Sequence, residues 1–338
     1  MDNATSKYFL NSFKSIIENN VDDSIDNLKR IVLKNNESKE SIVLLGSLFR
    51  IKGDYIKAIH MHEGVLKMIG VNKYTYDFNM HELILDYVCS ENYEVAKYYL
   101  NKFMPKNNKE TELFLLLAKI QYHLGDYKES IDAYKRYQSV SKKGMNKYIA
   151  WCYLGMLDNI SDRASSAYFK LLKRCIQTFP EGRRANMLLM DYYLNNNKKN
   201  KSLEHAEYII DNDYIICLED LLHIESIFYE SSRIDKLAVK LRNKISEGIK
   251  NPFFFIYLSD FYEKVGKDGD AVALLQEFMK DKGPIRIVFK KYAHLLNDTI
   301  LLNVYDENNF ECVSCKQKSK EYSDVCSNCG SIQALEPF

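Results

Sequence analysis

Ile42-Val-Leu-Leu-Gly-Ser-Leu-Phe-Arg-Ile-Lys-Gly-Asp-Tyr-Ile-Lys-Ala-Ile-His-Met-His-Glu-Gly-Val-Leu66 is the stretch that decides the fold. A small residue, Gly46, precedes the aromatic Phe49 by three positions. Gly53-Asp54-Tyr55 follows, and then a second small residue, Ala58. Two helices that meet at a tight turn need this arrangement: the glycine turns the chain and the small residues let the helices approach closely. The pattern recurs along the chain. Gly125-Asp126-Tyr127 repeats Gly53-Asp54-Tyr55, and Glu91-Asn92-Tyr93 with Ala96 stands between them. Further copies sit at Asn159 with Ala164 and at Gly266 with Ala271. Weaker ones lie near Asn19 with Ser24, Asn197 with Ser202, and Ser232 with Leu237. The turn positions are spaced by 34, 38, 34, 34, 38, 35 and 34 residues.

That period is the tetratricopeptide (TPR) period. Pro105, Pro180, Pro252 and Pro284 fall where the second helix of a repeat should stop. Between turns, Leu113, Leu116, Leu117, Ile120 and Leu124 recur at helical spacing. Residues 5–302 are therefore expected to form an all-α, right-handed TPR solenoid of about eight helix pairs, with no β-sheet before residue 305. Composition agrees. Only 13 Gly and 5 Pro in 338 residues exclude a turn-rich β-sandwich or barrel. The 47 basic and 46 acidic residues leave a net charge of +1, which argues against a dedicated nucleic-acid binder. No stretch approaches the ~20 apolar residues of a membrane span, and the N-terminus reads as neither signal peptide nor anchor.

After a short connector, 303–309, the composition changes. Half of the eight cysteines fall in Cys312-x2-Cys315-x10-Cys326-x2-Cys329. Two Cys-x-x-Cys turns can point four thiolates at one ion. Without an export signal, eight cysteines suggest a reducing compartment, where such pairs are metal ligands and not disulfides. Zinc is the expected ion, one per chain, with iron as the alternative because a rubredoxin site uses the same four thiolates. A segment of ~30 residues cannot build a core alone, so metal should fold residues 310–338. The tail is expected to dock on the last repeats through Phe310, Val313, Tyr322, Val325, Ile332 and Leu335, against Ile287, Phe289, Tyr292, Leu295 and Leu296. Gly330 closes the second knuckle, and Lys316 holds the equivalent place in the first.

The remaining cysteines, Cys89, Cys152, Cys175 and Cys217, stand apart and are expected to pack in the core. His60-x-His62 lies at a spacing that points two ligands to different helix faces, so packing or surface roles are expected. Arg183-Arg184 and the run Lys198-Lys199-Asn-Lys201 are expected to be solvated turns. No Walker loop, dinucleotide turn, Gly-x-Ser-x-Gly or His-Glu-x-x-His is present, so no enzyme is expected. Projecting the repeat register places Arg50, Lys119, Tyr122, His123, Tyr153, Arg184, Asp191, Tyr229 and Tyr262 on the concave, partner-facing surface.

The combination of about eight TPR units and a rubredoxin-like four-cysteine tail resembles the lipopolysaccharide assembly protein B (LapB) family. The specific residues are Leu45-Gly46-x-Leu48-Phe49-Arg50-x-x-Gly53, then Ala58-Ile59-x-x-His62, and the paired Cys-x-x-Cys ending followed by Pro337. The resemblance implies a non-enzymatic cytoplasmic scaffold at the inner face of the cell membrane. Such a scaffold presents a lipid A enzyme to the FtsH-type protease and balances lipopolysaccharide against phospholipid. It also implies that Cys312, Cys315, Cys326 and Cys329 hold the metal and that the tail packs on the repeats. No counterpart of the family's N-terminal membrane anchor is expected from this sequence, so membrane contact is expected to be indirect. Lys316 and Ser327 stand where the family's knuckles carry Gly and Pro. The alternative reading is a general TPR interaction or co-chaperone module with a zinc cap. A nucleic-acid role is opposed by the tail, which has three Lys against four acids over 310–338.

Overall fold

Turn chemistry fixes where each helix ends. The computed structural model describes residues 3–18, 20–34, 38–104, 111–283, 285–298, 309–332 and 334–337. At Gly53, Glu91, Gly125, Asn197, Ser232 and Gly266 the backbone turns left-handed, with φ of 86°, 59°, 80°, 56°, 53° and 73°. The sequence marked each of these as a turn. In the first, the Gly53 N–H bonds the Arg50 carbonyl at 2.9 Å and the Asp54 N–H bonds Phe49 at 2.9 Å. This paired closure satisfies carbonyls that a helix end would otherwise leave open. The same two bonds recur at the other five positions. Pro180 follows the helix that ends at Thr178, and Pro252 occupies the first turn of the next one, where its missing N–H costs nothing. Asn19, Pro105 and Pro284 lie outside the described residues.

The chain forms two compact units, Met1–Met145 and Asn146–Phe338. Among the described residues the first contains four helix pairs: α1 (Asn3–Ile17) with α2 (Val21–Lys34), α3 (Lys39–Ile51) with α4 (Tyr55–Leu66), α5 (Lys73–Cys89) with α6 (Tyr93–Phe103), and α7 (Thr111–His123) with α8 (Tyr127–Ser141). The second contains four more: α9 (Asn146–Asp158) with α10 (Ser166–Thr178), α11 (Arg183–Asn195) with α12 (Lys199–Asp211), α13 (Leu218–Glu230) with α14 (Ile234–Ser246), and α15 (Pro252–Lys264) with α16 (Asp268–Lys282). A last helix, α17 (Arg286–Leu295), packs against α15 and α16. The protein is thus all-α and TPR-type through its described helices, and every described strand lies beyond residue 309.

The predicted small positions let the helices touch. Ala58, Ala96, Ser202 and Ala271 are fully buried where paired helices cross, and so is Ser130, which the sequence reading did not name. Ser130 Oγ donates to the Ala118 carbonyl at 2.7 Å, and Ser202 Oγ donates to Met190 at 3.0 Å. A buried hydroxyl is tolerated there because it finds an acceptor on the partner helix. One copy of the repeat differs from expectation. The connection between α9 and α10 is longer, and Ala164 is exposed ahead of α10 instead of lying between helices. Asp162 accepts from the Ala164 N–H at 3.0 Å and Ser165 caps α10, so a local polar turn replaces the tight one.

Beyond residue 309 the second unit adds a small antiparallel sheet of order β2-β1-β3. Its strands are β1 (Phe310–Cys312), β2 (Lys318–Ser319) and β3 (Leu335–Pro337), with Phe310 opposite Ser319 on one side and Pro337 on the other. Of the connector 303–309, only Asn309 is among the described residues. Its side chain accepts from Lys290 Nζ at 3.1 Å and donates to the Lys320 carbonyl at 3.0 Å, which ties the start of the tail to α17.

Candidate metal centre

The two knuckles are near copies of one another. In the first, the Lys316 N–H bonds the Cys312 carbonyl at 2.8 Å. In the second, the Gly330 N–H bonds Cys326 at 2.9 Å. Lys316 and Gly330 both turn left-handed, at φ 61° and 67°. Lysine therefore does the work of the expected glycine, at about 1–2 kcal/mol of backbone cost. The Cys312 sulfur accepts backbone N–H groups of Ser314 and Cys315, and the Cys326 sulfur those of Asn328 and Cys329. Hydrogen bonds from the Asn328 side chain and the Gln317 N–H lower the Cys315 thiol to about 6. These donors favour thiolate, the form a metal binds, at Cys315 and Cys312, whereas burial outweighs them at Cys326 and pushes its thiol up to about 11.

The four sulfurs of Cys312, Cys315, Cys326 and Cys329 lie within 4.8 Å of one another. Cys312 and Cys329 are 3.7 Å apart, and Cys315 and Cys326 3.6 Å. A tetrahedron with metal–sulfur bonds of ~2.3 Å has edges of ~3.8 Å, so the cluster has the size of a four-thiolate metal shell. The separations are far longer than a disulfide bond. A metal held by all four sulfurs would have a closed shell, with no coordination position for a substrate.

The tail is seated on the second unit. Phe310 and Leu335 are buried in the apolar cluster that contains Phe253, Phe254, Leu221 and Val288, and Ile287, Tyr292 and Leu295 pack against that cluster. Phe310 stacks on Phe253 with centroids 6.5 Å apart and meets Tyr322 edge-on at 5.7 Å. Ile332 borders a small cavity that is also lined by Trp151, Leu154, Cys175 and Phe179. The contacts thus extend back to α9, well beyond the last helices that the sequence suggested. Val313, by contrast, is exposed, as is Leu296.

Arg183 was expected in a solvated turn, and the structure corrects this. Its Nε donates to both Asp220 oxygens at 2.8 Å, its Nη1 lies 3.4 Å from Asp324, and its guanidinium sits 5.3 Å from the Tyr322 ring centre. Burial works against its charge, but the hydrogen bonds and charge of Asp220 outweigh it and raise its pKa. Tyr322 Oη donates to Asp324 at 3.2 Å, and Asp220 also accepts from the Ile216 and Cys217 N–H groups that begin α13. One guanidinium therefore joins α11, α13 and the tail. Asp324 is 141 positions away in the chain, and no local pattern announces the pairing. Of the isolated cysteines, Cys152, Cys175 and Cys217 are buried as expected, but Cys89 is exposed at the end of α5. His62 is buried and His60 exposed.

The residues projected onto the concave face are spread over both units and occupy different environments. Arg50 is held by Glu82 at 2.6 Å and Asp86 at 3.0 Å. Lys119 is exposed, Tyr122 lies edge-on to Tyr127, and His123 stacks on Tyr93 at 4.4 Å. Tyr153 is half-buried. Arg184 pairs with Asp158 at 2.8 Å and sits over Trp151. Asp191 meets His223 at 2.6 Å. Tyr229 is exposed, while Tyr262 is buried beneath Arg242.

Fold and site together define a TPR-type helical repeat protein that carries a four-cysteine centre seated on its C-terminal repeats. Along its whole length it resembles lipopolysaccharide assembly protein B. It is 19% identical to that protein of Escherichia coli K12 over 355 residues, covering 99% of this chain and 90% of the relative. It is 18% identical to the Haemophilus influenzae protein of the same name, covering 100% and 91%. No family model matches the chain. Among solved structures, it is similar to a tetratricopeptide repeat protein from Parabacteroides merdae. There the TM-score is 0.44 at 14% identity, over 76% of this chain and 98% of that one.

Proposed function

We propose that this chain is a non-enzymatic adaptor of the lipopolysaccharide assembly protein B kind. In this reading its helix pairs hold a protein client, and its four-cysteine tail fixes the shape of the C-terminal repeats. The observation that carries the proposal is the tail itself. A closed four-sulfur shell has no open position for chemistry, and the tail is joined to three helices through Arg183 and Phe310. Such a centre organises a surface and turns nothing over. Similarity over nearly the full length of both chains supports the same role. Cys312, Cys315, Cys326 and Cys329 would hold one zinc ion, with iron as the alternative. The metal would supply the cross-link that a ~30-residue segment lacks. The domain division proposed is 5–302 for the repeats, 303–309 for the connector and 310–338 for the metal module.

The clients proposed are an FtsH-type protease and an envelope-lipid enzyme, met at the inner face of the cell membrane through protein contacts. No helix among the described residues is long and apolar enough to cross a membrane. The exposed concave residues Lys119, His123 and Tyr229 are the proposed client contacts. Affinity capture from the native organism, with the tagged chain crosslinked before lysis, tests the reading. Recovery of a membrane protease with a lipid-synthesis enzyme is expected. Recovery of chaperones alone would favour the general co-chaperone reading. Elemental analysis of protein purified without added metal should find about one zinc or iron per chain.

A further inference from the structure

Helix α1 carries an apolar stripe that its own unit does not cover. Leu10, Phe13 and Ile17 recur at helical spacing on one face and are 69%, 59% and 70% exposed. Beside them, Ile16 and Ile51 border a groove of about 360 Å³ between α1 and α3, also lined by Phe9, Leu44 and Leu48; only Ser12 and Ser47 in its lining are polar. Large apolar side chains bury about 150–200 Å² each, so the exposed fractions amount to on the order of 500 Å². That is at the upper end of what a monomer leaves open.

We propose that this face is the interface for a second copy of the chain, through an antiparallel, twofold pairing of α1 with α1. Two arguments select this occupant. The first is area. A twofold interface counts each patch twice, and about 1,000 Å² meets the threshold for a specific contact before any flanking residue is added. The second is charge. Centring the antiparallel pair on Phe13 sets Leu10 of one copy against Ile16 and Ile17 of the other. Lys7, Lys14 and Glu18 lie along one edge of the stripe; Lys7 and Glu18 are six and five residues from Phe13 on opposite sides, whereas Lys14 sits next to the centre and meets Lys14 of the other copy, one repulsion against the two attractions. The same pairing therefore brings Lys7 of each copy beside Glu18 of the other, twice per dimer. Within one chain, Glu18 makes an exposed contact with Lys14 at 3.7 Å, which is worth little.

Analytical ultracentrifugation of the full, metal-loaded chain tests this. A species of twice the monomer mass is expected at tens of micromolar. Phe13→Asp should raise the dimer dissociation constant by more than a hundredfold. Because Phe13 is mostly exposed, the variant should keep the wild-type circular dichroism and melting. Lys7→Glu or Glu18→Lys alone should weaken the dimer about tenfold, and the double variant should restore it. A chain that stays monomeric at ~100 µM overturns the proposal, as does a dimer indifferent to Phe13→Asp or single charge reversals without rescue. A monomer that instead floats with anionic phospholipid vesicles through this stripe would also overturn it.

Discussion

Gly46 has room for a hydrogen and nothing larger. A Cβ built there would lie 2.6 Å from His62 Nε2. The ring cannot step aside. It is fully buried, with Nδ1 against Asp86 at 2.5 Å and Nε2 against the Val43 carbonyl at 3.0 Å. Asp86 in turn binds Arg50, which also grips Glu82. Burial opposes the charge of Glu82, yet hydrogen bonds from His81, Ser47 and Arg50 hold its carboxyl down to about 2. Alanine ordinarily gains about 1 kcal/mol over glycine within a helix. Here Gly46→Ala should lose about 2 kcal/mol net, because overpacking and broken buried hydrogen bonds cost more than that gain. Urea unfolding would measure it, and a gain in stability would refute the account. A second residue couples folding to pH. Burial pushes His205 down to about 4, and its Nε2 has no partner. The unfolded chain takes up this proton near pH 6.5, whereas the folded chain resists until about 4. Stability should therefore fall as pH drops through that window, by about 1–3 kcal/mol. His205→Gln should flatten the dependence between pH 6.5 and 4; an unchanged slope would assign it elsewhere.

At the scale of elements, Arg183 links α11, α13 and the tail. Arg183→Met would leave Asp220 buried without its partner, a change that typically costs 3–5 kcal/mol. Asp324→Asn removes only the longer, 3.4 Å contact and should cost about 1 kcal/mol or less. Thermal melting of both variants separates the two contributions, and equal losses would mean that Asp324 is the main anchor. The first knuckle offers the opposite sign. Lys316 holds a left-handed conformation at φ 61°, so Lys316→Gly should stabilise the tail by up to about 1 kcal/mol. Its exposed contact with Glu311 at 3.3 Å gives little back. A slower release of metal to a chelator would report the gain, and faster release would exclude it.

For the molecule as a whole, the tail belongs to the second unit, so removing it should act there. Stripping metal, or replacing Cys312 and Cys326 together by serine, should lower amide-exchange protection in residues 146–298 and leave residues 3–145 unchanged. Equal loss in both ranges would show that the tail stabilises the chain globally, and no loss would show an independent module. The helix pairs and knuckles were legible in the chain because their causes are local. A turn needs a residue that tolerates positive φ, a helix crossing needs a small one, and four thiolates need two Cys-x-x-Cys turns. Hence Gly53, Gly125 and Ala58 could be read in order, and so could Cys312 through Cys329. Asn159 with Ala164 misled because a polar turn around Asp162 can replace the tight one within the same period. Other features had no local cause. Arg183 became a buried lock only because folding carried Asp220 and Asp324 to it. Tyr262 is buried beneath Arg242, and Leu10, Phe13 and Ile17 stay exposed because no described element of their own unit covers them. Sequence by itself determined the helices, their turns and the sulfur set, since neighbours within a few positions enforce them. Only tertiary structure decided which charges are buried, where the tail rests and which apolar face stays open, because burial depends on residues that are distant along the chain.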